Sequence, residues 1–157
     1  MDLEELFAGR GLDVPRLMGR LRGIALGLGL PWGERTRTYN TRGAQELGAW
    51  AEERGRGAEF RRGVFLAYFA EGRNVARAEE LTRLAGEAGL DPAEARRVLR
   101  EGRFGPVVDE AWRRARRLGI SAVPTHAFRG RLDAGYLPWE ALDRFLSGAA
   151  ERSAGRE

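Results

Sequence analysis

The residues most able to do chemistry gather in one stretch, Gly119 to Phe128, which reads GISAVPTHAF. It joins a helix-stopping glycine, a short apolar run, an X-Pro bond and the start of a strand. The chain's one histidine, His126, lies two residues after Pro124. An imidazole there could serve as a general base. The commoner outcome is a half-buried ring with a single hydrogen bond. Alternation along a strand puts Thr125 and Ala127 on one face, His126 and Phe128 on the other. The remaining acid–base candidates, Tyr68 and Glu71, fall near the end of an apolar helix. A core aromatic and a helix-end carboxylate are the ordinary readings of those two.

Composition narrows the options. There are 157 residues and 0 Cys, so this polypeptide holds no thiolate nucleophile, no Cys-ligated metal and no dithiol couple. A lone histidine cannot build a His-rich metal site, so no metal is expected. The net charge is +4, and all 27 basic residues are arginine, interleaved with glutamates along most of the chain. The densest cluster, WRRARR (Trp112 to Arg117), could contact phosphates. A solvated helix face whose last-turn arginines complement the dipole is the commoner reading of such a run. No nucleic-acid partner is expected. No apolar run reaches membrane-spanning length, and no secretory pattern opens the chain, so the expectation is a cytoplasmic protein with no membrane partner.

These residues must be positioned by the elements around them. The length is enough to bury a sizeable core without disulfide staples. DVPRLMGRLRGIALGLGLP offers Asp13 as an N-cap, Pro15 in the first turn and apolar residues at helical spacing up to Pro31. Gly19, Gly23 and Gly27 repeat along that helix, each weakening it by about 1 kcal/mol relative to Ala, so close packing against another helix is expected there. WGERTRTYNT has no helical period and reads as extended chain or loop. Asn40 or Thr41 then caps a helix burying Ala44, Leu47 and Ala51. EFRRGVFLAYFAEGRNV is apolar on nearly every side and reads as the central helix. Leu81, Leu84, Ala85 and Ala88 end at the C-cap glycine Gly89, and Asp91, Pro92 and Glu94 open the next helix with a capping box. A helix opened by Pro106 shows an inner face of Val107, Val108, Ala111, Trp112, Ala115 and Leu118. SAVPTHAF, RGR and LDAGYL then read as strand, tight turn and strand, followed by the amphipathic helix PWEALDRFLSGAAE. The fold class expected is mostly α with a small β-hairpin. Residues 1–105 form a helical lobe, 106–150 a helix-strand-strand-helix part, and 151–157 a disordered tail.

Two stretches carry a family resemblance: VFLAYFAEGRNVARAEELTRLAGEAGLDPAEARRVL and ARRLGISAVPTHAFRGRLDAGYLPWEAL. They resemble the DsbA-like thioredoxin-fold proteins, in the branch of FrnE-type dithiol oxidoreductases and glutathione-dependent 2-hydroxychromene-2-carboxylate isomerases. YNTRGAQELGAWA fits too, with Asn40 and Thr41 matching an Asn-Thr pair near that family's cleft. Gln45 stands where the branch carries a histidine. The likeness runs from about Asp2 to Ser147 and is most specific in AYFAEGR and the Gly-Ile-x-x-Val-Pro-Thr loop.

The resemblance implies a helical insertion lobe plus the C-terminal β-β-α part of a thioredoxin-like fold. Its strand-helix-strand unit, bearing Cys-x-x-Cys or a catalytic serine, has no counterpart here, because Met1 falls roughly where the insertion begins. Ser121, Ser147 and Ser153 do not match the serine's place. The family loop implies a cis Val123-Pro124 bond, with substrate-binding roles for Val123, Pro124, Thr125, Asn40 and Thr41. The backbone of Val123 would hold an extended peptide or glutathione by strand-like pairing. The family activity would be thiol–disulfide exchange or glutathione-assisted isomerisation, with this cysteine-free chain redox-inactive by itself. The alternative is a non-catalytic helical binding or assembly module. Its incomplete sheet would leave an open edge, so a homodimer is expected.

Overall fold

The computed structural model describes residues 1–9, 11 and 13–148. Along the chain come α1 (Leu3–Phe7), α2 (Val14–Gly27), α3 (Arg42–Glu53) and α4 (Gly57–Phe65), which runs on into a π-helical turn, Leu66–Ala70. Then follow α5 (Ala78–Glu87), α6 (Pro92–Glu101), α7 (Gly105–Arg117), β1 (Thr125–Phe128), β2 (Arg131–Ala134) and α8 (Trp139–Ser147). The fold is mostly α with one small antiparallel hairpin. Contacts divide the chain into two units, Met1–Asp109 and the part from Glu110 onward. The expected tail, 151–157, lies outside the described residues.

In the first unit local chemistry sets the helix ends. The α5 helix stops at Gly89, whose φ of 81° suits a residue without a Cβ. Leu90 N–H donates to Ala85 C=O and Gly89 N–H to Gly86 C=O, each at 2.9 Å, so the last carbonyls of α5 are satisfied in a Schellman motif. Asp91 then accepts the Ala93 N–H at 2.9 Å and Pro92 opens α6. Glu94 is the correction. It does not close a capping box, because its carboxylate is drawn to Arg54 at 2.6 Å.

The core of this unit forms where α3, α4, α5 and α6 pack together. Its largest fully buried side chains are Trp50, Phe60, Leu47, Leu81, Val75 and Val98. Burying each large apolar side chain contributes about 1.5–3 kcal/mol. Glu46 of α3 is also buried, and Arg42 compensates it one turn earlier at 3.0 Å. Arg42 reaches Asp109 as well, at 2.7 Å. That hydrogen bond outweighs desolvation and, with the nearby carboxylate charges, holds the Arg42 pKa above its ordinary value.

Three expectations about packing fail, for one reason: periodicity marks an apolar face without saying what covers it. A Cβ placed on Gly19, Gly23 or Gly27 would meet nothing within 4 Å, so no helix among the described residues packs closely on that row. On α7 only Val108 of the expected inner face is buried, while Val107, Trp112 and Leu118 are exposed. The central helix is not enclosed on all sides either. Phe65 is 59% exposed.

In the second unit β1 pairs antiparallel with β2, Phe128 opposite Arg131 and Thr125 opposite Ala134. The two turn residues, Arg129 and Gly130, have φ of 47° and 75°, the left-handed pair that matches strand twist in a two-residue hairpin. Arg131 crosses to α8, donating to Phe145 C=O at 3.0 Å and lying 4.7 Å over the Phe145 ring. Phe145 is the buried anchor of α8.

At the start of this unit Arg117 and Arg113 donate to the Glu110 carboxylate at 2.8 and 2.9 Å. Arg117 first, then Arg113, holds the Glu110 pKa below its ordinary value. Folding therefore binds fewer protons at this site. Its small stabilisation is present above the unfolded pKa and lost as pH falls through the lowered folded pKa. The expected result is a slightly flatter acid limb for Glu110→Gln in melting temperature against pH. Because the pair is exposed, high salt should erase most of that difference.

Candidate functional site

Val123, Pro124 and Thr125 form the bend that leads into β1. The Val123-Pro124 peptide bond is cis. Val123 is 89% exposed. Thr125 is half-buried, and its hydroxyl donates to Ala122 C=O at 2.5 Å, tying the bend together.

The direction of the backbone groups follows from the hairpin. A two-residue turn makes its flanking residues, Phe128 and Arg131, a hydrogen-bonded pair, and bonded and non-bonded pairs then alternate. His126 opposite Asp133 is bonded; Ala127 opposite Leu132 and Thr125 opposite Ala134 are not. The same parity continues past the strand, where Gly135 N–H donates to Pro124 C=O at 2.8 Å. Proline has no N–H to return, so the ladder stops there. Thr125 and Ala127 therefore aim their N–H and C=O groups away from β2. Among the described residues no backbone hydrogen bond engages Val123. His126 is half-buried and shares a hairpin face with Asp133.

Asn40 and Thr41 belong to the first unit, and their polar atoms shape the start of α3. The Asn40 side-chain oxygen accepts the Arg42 N–H at 2.9 Å. The Thr41 hydroxyl makes no cap hydrogen bond of its own. It accepts instead from Gln45 at 3.2 Å, one turn on.

The sequence reading passed over a second cluster in this unit. The loop before α3 lies along the π-helical turn, with Gly33 N–H donating to Phe69 C=O at 3.0 Å. Trp32 stacks on Phe69 at 5.5 Å and Phe69 on Phe65 at 5.8 Å. Arg35 lies 4.5 Å from the Tyr68 ring centre and donates to the Tyr68 hydroxyl at 2.5 Å, which Thr38 also meets at 3.1 Å. Tyr68 is thus a buried hydrogen-bonding node, while Glu71 is exposed and held by Arg73 at 2.6 Å. The signal that could have drawn notice was Trp32 and Tyr39 in an otherwise polar loop. π-Helical turns also concentrate at functional sites.

Among the described residues no group of three or more His, Cys, Asp or Glu could hold a metal ion. Nor is any helix there long and apolar enough to cross a membrane.

A two-strand hairpin flanked by helices, with a Val-Pro-Thr bend at its entrance and a helical lobe ahead of it, defines a thioredoxin-like class. Residues 16–147 match the DSBA-like thioredoxin domain. The chain belongs to that family. A solved structure described as a probable DsbA oxidoreductase, SCO1869 from Streptomyces coelicolor, aligns with a TM-score of 0.76 and 29% identity, covering 95% of this chain and 67% of that one. An uncharacterised protein of Bacillus subtilis, YwbO, is 36% identical over 77 residues, which is 48% of this chain. The matched segment spans 38% of YwbO's length.

Proposed function

We propose that this chain is a substrate-holding member of the DsbA-like family, and that by itself it does not exchange disulfides. The observation that carries the reading is the exposed, unpaired backbone of Val123 in a sequence with 0 Cys. Exchange requires a thiolate that attacks one sulfur of a disulfide and expels the other. No residue here can do that. An extended peptide could still pair at the bend, its N–H donating to Val123 C=O and its C=O accepting from Val123 N–H. Glutathione, itself a peptide, offers the same groups. Pro124 and Thr125 shape the bend; the family resemblance gives Asn40 and Thr41, at the start of α3, substrate-binding roles as well. The motifs around Tyr68 and Pro124 support a place in the FrnE-type and isomerase branch, and Gln45 in place of histidine is the departure from it.

The purified chain is expected to show no turnover of an insulin-type disulfide above a protein-free control containing the same reductant. Measurable turnover would refute the reading. Calorimetric titration with an extended model peptide should give binding that Val123→Pro abolishes, since that change deletes the Val123 N–H offered to the ligand. Equal binding by the variant would remove Val123 from the site.

A further inference from the structure

We infer that Arg42 is the positioning residue of the Asn40–Thr41 corner: it sets both residues to offer hydrogen-bond donors to a ligand oxygen, and is itself anchored on the first turn of α7. The inference rests on the proposed role of Asn40 and Thr41 in holding substrate, and adds the polarity of that contact. It starts from the Arg42 backbone N–H, which donates to the Asn40 side-chain oxygen at 2.9 Å. Only the oxygen of an amide accepts from an N–H, so this bond decides which way the Asn40 amide is turned. The NH2 of this exposed residue is left to donate. The Thr41 hydroxyl accepts from Gln45 at 3.2 Å, which leaves its O–H to donate as well. A corner with two donors takes an acceptor, so the group it selects is a peptide carbonyl or a carboxylate.

The side chain of Arg42 holds that corner in place. Its Nε donates to Glu46 Oε1 at 3.0 Å, its Nη1 to Asp109 Oδ1 at 2.7 Å and its Nη2 to Gly105 C=O at 3.4 Å. Glu46 is only 8% exposed. A carboxylate so buried keeps its cation, because losing it would leave a charge uncompensated. The planar guanidinium then spans α3 and the first turn of α7 with one rigid fork, which the single ammonium of a lysine could not do. Gly105 leaves room for this fork. A Cβ there would lie 3.4 Å from Arg42 Nη2 and 3.7 Å from Glu46 Oε1. Main chain and side chain of one residue thus act together. The N–H of Arg42 orients Asn40, while Gln45 N–H donates to Thr41 C=O at 3.0 Å and closes the first turn of α3. Asp109, far along the chain, bears on the corner through the guanidinium between them.

Two measurements on the full chain test this. Asn40→Asp keeps an oxygen for the Arg42 N–H and removes the NH2. Its melting temperature should hold, while calorimetric affinity for the extended model peptide falls by about tenfold or more. Asp109→Asn weakens the anchor without touching the corner. Amide exchange should then quicken by about threefold or more at Arg42 and Gln45 and stay unchanged at Trp50 and Ala51, because the loosening is local. A purely structural role for the ion pair would speed all four together. In an Arg42→Gln background, Asp109→Asn should have no further effect at Gln45. The inference is overturned by equal acceleration along α3, by none at Arg42 and Gln45, or by an Asp109 effect that persists without Arg42. A folded Asn40→Asp variant that binds peptide as well as the wild type overturns it too. A wild-type chain that binds no peptide sinks the substrate-holding reading, and the local exchange response then still upholds Arg42 as the residue that sets the corner.

Discussion

Gly33→Ala is expected to lower the melting temperature by roughly 6–12 °C, the equivalent of about 3 kcal/mol in a chain of this size. A Cβ at Gly33 would lie 2.0 Å from the Ala70 carbonyl oxygen and 2.9 Å from its carbon. Both atoms are backbone, so no side chain can swing aside. Relief must come from moving the loop or the π-helical turn, and either motion strains the Gly33–Phe69 hydrogen bond at 3.0 Å. The Trp32–Phe69–Phe65 ring stack and Arg35 would shift with the loop. That is why the cost sits at the upper end for an added methyl group. Gly48→Ala supplies the opposite case. A Cβ there meets nothing within 4 Å, and Gly48 lies inside α3, where alanine is favoured by about 0.5–1 kcal/mol. Thermal melts should move in opposite directions for the two variants. If both rise together, Gly33 does not meet Ala70 as described.

The same pair of glycines shows what could be read in the sequence and what could not. Helix punctuation is local: Gly89, Asp91 and Pro92 act on groups a few residues away, so the boundary between α5 and α6 was legible from residue types alone. The hairpin was legible for the same reason, although the turn expected over RGR takes only Arg129 and Gly130, and Arg131 already opens β2. Long-range placement was not. Nothing around Gly33 announces that Ala70 will approach it, and nothing around Gly19, Gly23 and Gly27 announces that no helix will. Glu94 went to Arg54 rather than to the helix start because a charge forty residues away outcompeted a local amide.

The candidate site divides along the same line. Its loop residues could be named because a family motif carries them. Which backbone groups of β1 face away from β2 came only with the register of Thr125 against Ala134. Arg35 and Thr38 stayed hidden because their partner, Tyr68, lies some thirty residues on. The π-helical turn was hidden as well. An apolar run such as Phe65 to Phe69 looks the same whether each turn closes with four residues or five.

Trp50→Ala should destabilise the protein by about 3–5 kcal/mol, the largest stability loss expected for any single change in the first unit. Trp50 is 1% exposed and lies on the inner face of α3 with Leu47 and Ala51. Removing it deletes the largest side chain of the core, and the helices around it can close only part of the space. Trp50→Phe separates packing from polarity. The Trp50 Nε1 is buried and finds no hydrogen-bond acceptor among the described residues. A buried donor left unmade costs about 1–3 kcal/mol. Phenylalanine forfeits some of the indole's contacts but removes that orphan N–H. The two effects oppose each other at similar size, and the net change should stay within about 1 kcal/mol. Denaturant unfolding followed by far-UV circular dichroism measures both variants without relying on the lost fluorophore. A phenylalanine variant as unstable as the alanine one would mean that the indole N–H is satisfied in solution.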